Sequence, residues 1–281
     1  MMFPFHKSIV VLIYVCLAGC VSGSPDIPTP PHYRLDEPEK FLMPESLLEI
    51  SGIAFHHGKS DTVYAIQDEE GKLFRLAWRE KKQTHIKFGK KGDYEDVTIL
   101  HDEAIVLKSN GALYFFPLGD EDIDSTKESK HIFPQGEYEG LYADEQSGNI
   151  YVLCKNCMAD NSKASVTGYI LQQKDSLQQT GSFSIDVSAI KDITGKVKRG
   201  FRPSGLAQQP LTKEWFIISA VNKLLVITDS NWQVKEVYPL DGKIFNQPEG
   251  IAFDNAGNLY ISNEGDDLVQ GNILKFARQE K

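Results

Sequence analysis

Short apolar runs separated by turn residues recur along most of this chain of 281 residues. The runs are rich in β-branched and aromatic side chains, as in residues 62–66 and 215–218, which is typical of β-strands. Turns that contain glycine and asparagine, such as residues 144–149 and 254–258, follow many runs and predict β-hairpins. A helix is indicated only near residues 187–191, and it is short. The pattern therefore predicts an all-β fold.

One motif occurs five times: a small or acidic residue, usually a glycine next, and then an apolar residue, followed by a turn and a second strand. The copies begin at Ser51-Gly52-Ile53, Glu95-Asp96-Val97, Glu139-Gly140-Leu141, Ser204-Gly205-Leu206 and Glu249-Gly250-Ile251. Their glycine-equivalent positions are therefore separated by 44, 44, 65 and 45 residues. A four-stranded propeller blade needs a repeat of about 44 residues. The sequence predicts a single β-propeller of four-stranded blades, with five blades, or six if one blade lacks the motif.

The ends of the repeat predict how the ring closes. The last motif leaves room for only three strands before the C-terminus, so the segment from Tyr33 to Leu42 is expected to supply the fourth strand. Such closure removes exposed sheet edges. The surplus in the step of 65 residues falls in the polar residues 161–200, which predicts a loop insertion at the rim.

The motifs resemble those of the SdiA-regulated family of bacterial β-propellers. The strongest match is residues 248–254 followed by residues 257–264, and residues 50–54, 138–141 and 203–206 support it. The resemblance implies a propeller in the cell envelope, sometimes linked to calcium and compared with phytase-like propellers, but no particular reaction. Asp96 stands where the other four copies have glycine, which questions the backbone turn of that copy.

The N-terminus resembles a bacterial lipoprotein signal. Residues 8–17 form an apolar run too short to span a membrane, and Leu17-Ala18-Gly19-Cys20 resembles a lipobox. We expect a signal peptide over 1–19, a lipidated Cys20 with a Pro-rich tether over 20–32, and the propeller over 33–281. An ordinary secretory signal is the alternative. Val21 after Cys20 resembles the outer-membrane default, with the periplasmic or surface side left open.

The charge of the chain limits its partners. Its 30 basic and 39 acidic residues give a net charge of −9, and no basic stripe indicates nucleic-acid binding. We expect a monomer with two kinds of contact: the membrane through its lipid anchor, and an unknown small-molecule or protein partner.

Two cysteines, Cys154 and Cys157, remain in the predicted domain. They follow a predicted strand rather than opening a helix, which disfavours a thioredoxin-like role. A structural zinc site is also disfavoured, because the sequence lacks the second Cys or His pair that would complete its four ligands. A local disulfide is expected, with a reduced pair as the alternative.

The residue before each glycine-equivalent position is expected to point into one mouth of the central channel. These residues are Ser51, Glu95, Glu139, Ser204 and Glu249. Converging carboxylates repel and raise each other's pKa, and a hard cation such as Ca²⁺ is a natural counter-charge, so the five are candidate calcium ligands. The alternative is a solvated ring with Arg202 or Lys108 paired to a glutamate.

The ends of the second strands are expected to return to the same mouth. Asp68, Asn263 and Glu264, with Arg202, are the candidate ligand-binding residues. The chain lacks nucleophile-elbow, zincin and P-loop motifs, and no catalytic residue is assigned. These features predict a ligand-binding or protein-interaction module. The alternative is a calcium-dependent hydrolase of phytase-like or lactonase-like type, in which a metal activates water.

Overall fold

Five four-stranded antiparallel sheets are arranged around one axis in the computed structural model of the chain. The structure describes residues 28–78, 80, 83–119, 126–158 and 160–280. The predicted signal peptide, Cys20 and the first part of the predicted tether lie outside the described residues. The predicted five-bladed propeller is confirmed, and six blades are ruled out.

The strands follow the chain around the ring. The first strand is β1 (Glu39–Leu42). Blade 1 contains β2 (Ile50–Ala54), β3 (Thr62–Gln67), β4 (Lys72–Ala77) and β5 (Thr84–Lys87). Blade 2 contains β6 (Tyr94–Leu100), β7 (Glu103–Lys108), β8 (Leu113–Pro117) and β9 (Lys127–Ser129). Blade 3 contains β10 (Gly136–Asp144), β11 (Asn149–Cys157), β12 (Ser165–Gln173) and β13 (Leu177–Asp186), followed by helix α1 (Val187–Thr194). Blade 4 contains β14 (Gly205–Gln208), β15 (Trp215–Ser219), β16 (Leu224–Thr228) and β17 (Val234–Pro239). Blade 5 contains β18 (Pro248–Phe253), β19 (Leu259–Asn263) and β20 (Asn272–Phe276), completed by β1.

Apolar side chains pack between consecutive blades in five separate cores. Strand β19 shows how the sequence produces them, because successive side chains of a strand point to opposite faces. Leu259 and Ile261 pack against blade 4, whereas Tyr260 between them packs against blade 1. Both faces of the blade are therefore buried, which explains the nearly continuous apolar runs.

The innermost strands approach one another closely around the axis. A Cβ atom on Gly205 would lie 2.6 Å from the carbonyl oxygen of Glu249 in the next blade. One on Gly250 would lie 2.6 Å from the carbonyl oxygen of Ser51. Real Cβ contacts are longer, so the motif requires glycine where two inner strands meet.

At the motif position of blade 2, the side chain of Asp96 contacts the inner strand of the next blade. Its Oδ1 accepts the backbone N–H of Val97 at 2.8 Å, and its Oδ2 accepts that of Leu141 in blade 3 at 2.7 Å. Burial raises the pKa of Asp96 well above its usual value. The departure from glycine thus joins blades 2 and 3 by a hydrogen bond, and the blade keeps the fold of the others.

Strand β1 closes the ring as predicted. It pairs antiparallel with β20, with Glu39 opposite Lys275. The packed region begins slightly before the predicted boundary at Tyr33. Pro30 is buried, and the His32 ring contacts the carbonyl oxygen of Gln279 at 2.8 Å, so residues 30–32 lie on the propeller.

The predicted loop insertion over residues 161–200 is wrong. This segment contains β12 and β13, which are nine and ten residues long, and then helix α1. Its polar composition reflects the solvent-facing side of the outermost strand rather than a loop. Val187 and Ile190 of the helix pack into the core between blades 3 and 4, so the surplus residues extend blade 3.

Within the described ranges, no helix is both long and apolar enough to cross a membrane.

Candidate functional site

β-Bulges direct the side chains of the predicted ring. Ile50 pairs with Gln67 and Ile53 with Ala65, so Ser51 and Gly52 together face a single residue of β3. The pairing of β18 with β19 shifts in the same way around Glu249. Glu95 and Glu139 are the extra residues in blades 2 and 3. A bulge re-aims a side chain without ending the sheet, which explains why these residues point away from the ladder. Blade 4 differs, because β14 begins at Gly205, directly after Ser204.

A lysine that sequence reasoning did not single out lies among these carboxylates. Lys155 is the extra residue of a second bulge, because Glu137 pairs with Asn156 and Tyr138 with Cys154. Its Nζ forms an ion pair with Oε1 of Glu139. The alternative to a calcium site named Arg202 or Lys108 as the partner of a glutamate. Instead, Nζ of Lys108 lies 5.4 Å from the centre of the Tyr94 ring.

The CxxC segment positions this lysine. Cys154 and Cys157 form a disulfide with their Cα atoms 6.0 Å apart, and Lys155 lies between them. The spacing of the cysteines predicted the bond. It did not indicate that the residue enclosed by the bond would turn toward the channel.

Burial and mutual repulsion dominate the electrostatics of this end of the channel, which we call the carboxylate mouth (Glu95, Glu139, Glu249 and Lys155). Burial raises the pKa of Glu249 to about 8, and the charge of Glu264 adds to the effect. Burial also raises the pKa of Glu95 and of Glu139, while Lys155 opposes the shift in both. Burial lowers the pKa of Lys155, but the surrounding carboxylates raise it by more. The ammonium group of Lys155 therefore interacts electrostatically with all three carboxyl groups.

The expected calcium ligands are not gathered into one coordination sphere. Ser204 Oγ donates to the carbonyl oxygen of Pro248 at 2.7 Å, so this hydroxyl joins blades 4 and 5. Among the described residues, the acidic side chains whose ligand atoms lie within 4.8 Å of one another are a different set, which we call the acidic trio: Glu49, Asp68 and Glu264. Lys155 provides the counter-charge at the ring for which a cation was expected.

The trio brings two predicted residues together with one that was missed. Backbone hydrogen bonds tie its segments, from Asp68 N–H to the Glu49 carbonyl at 3.4 Å and from Gly265 N–H to that of Leu48 at 2.7 Å. Burial, with the charge of Glu49, raises the pKa of Asp68 to about 6. Burial, with the charge of Asp68, raises that of Glu264 to about 7. Glu49 lies three positions before Gly52, outside the motif, and sequence reasoning did not single it out. The equivalent residues of the other copies are Asp93, Glu137, Arg202 and Gln247.

A cavity of about 300 Å³ opens at the carboxylate mouth. Its charged and amide lining residues are Glu139, Lys155, Arg202, Lys223, Gln247 and Glu249. Nε of Arg202 and Oε2 of Glu139 are both buried and have no hydrogen-bond partner among the described residues. The lining thus offers one unused donor and one unused acceptor. Arg202 was a ligand-binding candidate from the sequence, and it lines this cavity beside Glu139. Lys223 lies in a different loop and was not singled out by sequence reasoning.

Asn263, a predicted ligand-binding residue, does not line this cavity. It is fully buried, and its Nδ2 donates to Oδ1 of Asn272 at 3.3 Å. Its position at the end of β19 is as expected, and its Oδ1 is buried without a hydrogen-bond partner among the described residues.

We expect the folded chain to lose stability as the pH rises from about 5 to 8 in the presence of a chelator. Asp68, Glu249 and Glu264 have folded-state pKa values of about 6, 8 and 7, all above those of an unfolded chain. The folded state therefore binds more protons in this range. The buried Glu249 contributes up to about 1.4 kcal/mol per pH unit, and solvent screening makes the contributions of the more exposed Asp68 and Glu264 smaller. Urea unfolding midpoints across this range measure the slope.

Glu249→Gln should flatten that slope, since one titrating group is removed. Glu80→Gln, a change at an exposed glutamate, should leave it as in the wild type. Stability that is constant or increases from pH 5 to 8 would contradict the raised pKa values.

Comparison with solved structures shows the same fold in three enzymes and binding proteins. Glutaminyl cyclase of Myxococcus xanthus gives a TM-score of 0.55 at 13% identity, covering 86% of this chain and 96% of the other. A calcium-binding protein, regucalcin, of Agrobacterium tumefaciens gives 0.54 at 11% identity, covering 86% and 95%. Luciferin-regenerating enzyme gives 0.52 at 12% identity, covering 86% and 95%. At these identities the likeness concerns the fold alone.

Comparison with curated proteins gives no match. The family model described as SdiA-regulated matches residues 180–268, a region that includes the fourth and fifth motifs. This match confirms the resemblance carried by the motifs over this part of the chain.

Proposed function

We propose that this chain is a ligand-binding propeller of the bacterial envelope. Its cavity at the carboxylate mouth would hold a small anion that also carries a hydroxyl or ammonium donor. The observation that carries the proposal is the presence of a buried unused donor, Arg202 Nε, and a buried unused acceptor, Glu139 Oε2, on residues that line one cavity. Buried polar atoms without a partner are costly, so a ligand that satisfies both would be stabilised.

The charges around the cavity support this class of ligand. Arg202 and Lys223 can face a carboxylate or phosphate, and arginine suits the planar geometry of such groups. Burial lowers the pKa of Lys223, and its Nζ donates to the carbonyl oxygen of Asn246. Glu139 and Glu249 offer acceptors to a hydroxyl or ammonium group. A volume of about 300 Å³ is at the lower end for small-molecule pockets, so the ligand would be small.

A panel of amino acids, hydroxy acids and sugar phosphates, tested by thermal shift and then by calorimetry, should yield a ligand that stabilises the chain. Arg202→Gln should weaken its binding by roughly 10-fold or more, because a hydrogen bond to a charged group contributes about 1.5–3 kcal/mol. Lys191→Gln, on the exposed face of α1, makes the same change in charge away from the cavity and should bind like the wild type. A ligand bound equally by the Arg202 variant would place recognition elsewhere.

We also propose that Ca²⁺ binds to the chain, at the acidic trio rather than at the predicted ring. The trio offers carboxylate oxygens, which Ca²⁺ prefers. In addition, Oδ1 of Asp68 is buried without a hydrogen-bond partner among the described residues. A cation would also relieve the repulsion that raises the pKa values of Asp68 and Glu264.

Equilibrium dialysis against Ca²⁺ separates the two positions. Asp68→Asn and Glu264→Gln should each weaken binding by at least roughly 10-fold, because each removes one of three charged ligands. Glu95→Gln should leave binding nearly unchanged, since Glu95 belongs to the ring with Lys155. If Glu95→Gln weakened binding and the two trio variants did not, the calcium site would lie at the ring. If the wild type bound no Ca²⁺, the calcium proposal would be wrong.

A metal-dependent hydrolase is the second candidate. The observation in its favour is that Lys155, Arg202 and Lys223, which could hold a phosphate, line the cavity beside the trio: Lys155 acts on the pKa of Glu264. The same panel, incubated with Ca²⁺ and analysed for hydrolysis products, decides between them. Hydrolysis that requires both Ca²⁺ and Glu264 would show that the chain is a hydrolase. Recovery of the ligands intact would support the ligand-binding function.

The envelope location rests on the lipobox-like Leu17-Ala18-Gly19-Cys20 and the Pro-rich residues that follow it. We expect Cys20 to carry the lipid anchor and the propeller to be held near a membrane as a monomer. In bacteria grown with labelled palmitate, the wild type should be labelled and sediment with the outer membrane, whereas Cys20→Ser should be unlabelled. Equal labelling of both would contradict lipidation at Cys20.

A further inference from the structure

Three turns converge at the end of the channel opposite the carboxylate mouth. The turn between β2 and β3 carries His56 and His57, and the next two blades contribute Asp102 and Glu145. Nε2 of His56 lies 3.0 Å from Oδ1 of Asp102, and Nε2 of His57 lies 3.9 Å from the same oxygen. Nδ1 of His57 lies 2.9 Å from Oε1 of Glu145. Residues 45 to 90 positions apart in the chain thus form one cluster.

We propose that this cluster binds a divalent transition metal, with Zn²⁺ as the reference ion, through His56 Nε2, His57 Nε2 and Asp102 Oδ1. Two imidazoles and one carboxylate are a borderline-soft donor set that suits Zn²⁺, Co²⁺ or Ni²⁺ rather than Ca²⁺. The site is distinct from the acidic trio, which contains oxygen donors only.

Glu145 completes the arrangement without being a ligand. When Nδ1 of His57 carries the proton, it donates to Glu145 and leaves Nε2 free for a metal. A histidine ligand held by a carboxylate through its other nitrogen is the usual support in metal sites, because the contact sets both the tautomer and the orientation of the ring.

The spacing of the ligand atoms fits one ion. Tetrahedral zinc with ligand distances near 2.0–2.1 Å requires its ligand atoms to lie about 3.4 Å apart. The two observed distances to Asp102 differ from that value by about 0.5 Å or less, and one ligand atom from each of the three residues lies within 4.8 Å of the others. The rings of His56 and His57 are stacked with their centroids 4.0 Å apart, so a shared ion requires one of these partly exposed rings to rotate.

The backbone that carries the histidines is held in place from another blade. His57 has a φ of 50°, in the left-handed region, and Asn255 Nδ2 donates to its carbonyl oxygen at 2.7 Å. The N–H of Asn255 donates to the carbonyl oxygen of Gly58 at 2.8 Å. Blade 5 thereby fixes the turn that blades 2 and 3 contact through side chains.

A metal held here would keep an open position. The Asp102 side chain is 84% exposed, so the ion would face solvent on one side. His57 and Glu145 also line a cavity of about 170 Å³ at this end of the channel. Three protein ligands with a fourth, exchangeable position are typical of zinc sites that bind or activate a further molecule.

Zn²⁺ and Co²⁺ titrations of the chain, expressed without a histidine tag, test the proposal. The wild type should bind one equivalent that excess Ca²⁺ does not displace, and Co²⁺ should give the visible absorption of a tetrahedral or five-coordinate centre. His56→Gln and His57→Asn should each abolish this binding. Glu145→Ala should retain it with affinity about 10–100-fold lower, the usual effect of removing a supporting carboxylate.

His131→Asn is the matched control. His131, like His57, has a positive φ and is exposed, but it lies outside the cluster, and asparagine tolerates that backbone conformation. It should bind Zn²⁺ as the wild type does, and thermal unfolding of all variants without metal shows that each is folded. Wild-type binding no tighter than that of folded His57→Asn, or a Zn²⁺ equivalent displaced by Ca²⁺, would overturn the assignment.

Discussion

The close approach of the five inner strands around the axis is the contact on which the rest of the structure depends. Backbone of one blade lies where a side chain of the next would stand, so glycine occupies four of the five motif positions. Where Asp96 replaces glycine, its carboxylate takes the place of that contact by accepting a backbone N–H from blade 3.

The same crowding creates the site. In four of the five blades the residue before the glycine-equivalent position lies in a bulge, and three of these four residues are glutamates. Their side chains are largely buried, which raises their pKa values, and a nearby cation opposes this shift. Lys155 supplies one positive charge, and the charges that remain unpaired make the mouth suitable for a charged ligand.

The repeat period predicted most of the fold, because each blade contains the same sequence of strand, turn and strand. It also predicted Glu95, Glu139 and Glu249, whose positions follow from the motif. It could not predict Lys155, Lys223 or Glu49, because these lie outside the motif and meet the site through the geometry of the closed ring. The error at residues 161–200 has a related cause: a strand with one solvent-facing side has the composition of a loop.

Strand β1 determines when blade 5 is completed during folding. Glu39 pairs with Lys275, so blade 5 has no complete sheet until nearly the whole chain has been synthesised. Contacts between such distant residues form slowly, and an unpaired strand edge is open to other chains while it waits. With only four residues, β1 leaves little edge to protect. The ring is therefore closed by β1, the shorter of the two terminal strands, so only a short strand edge is exposed to aggregation before it pairs.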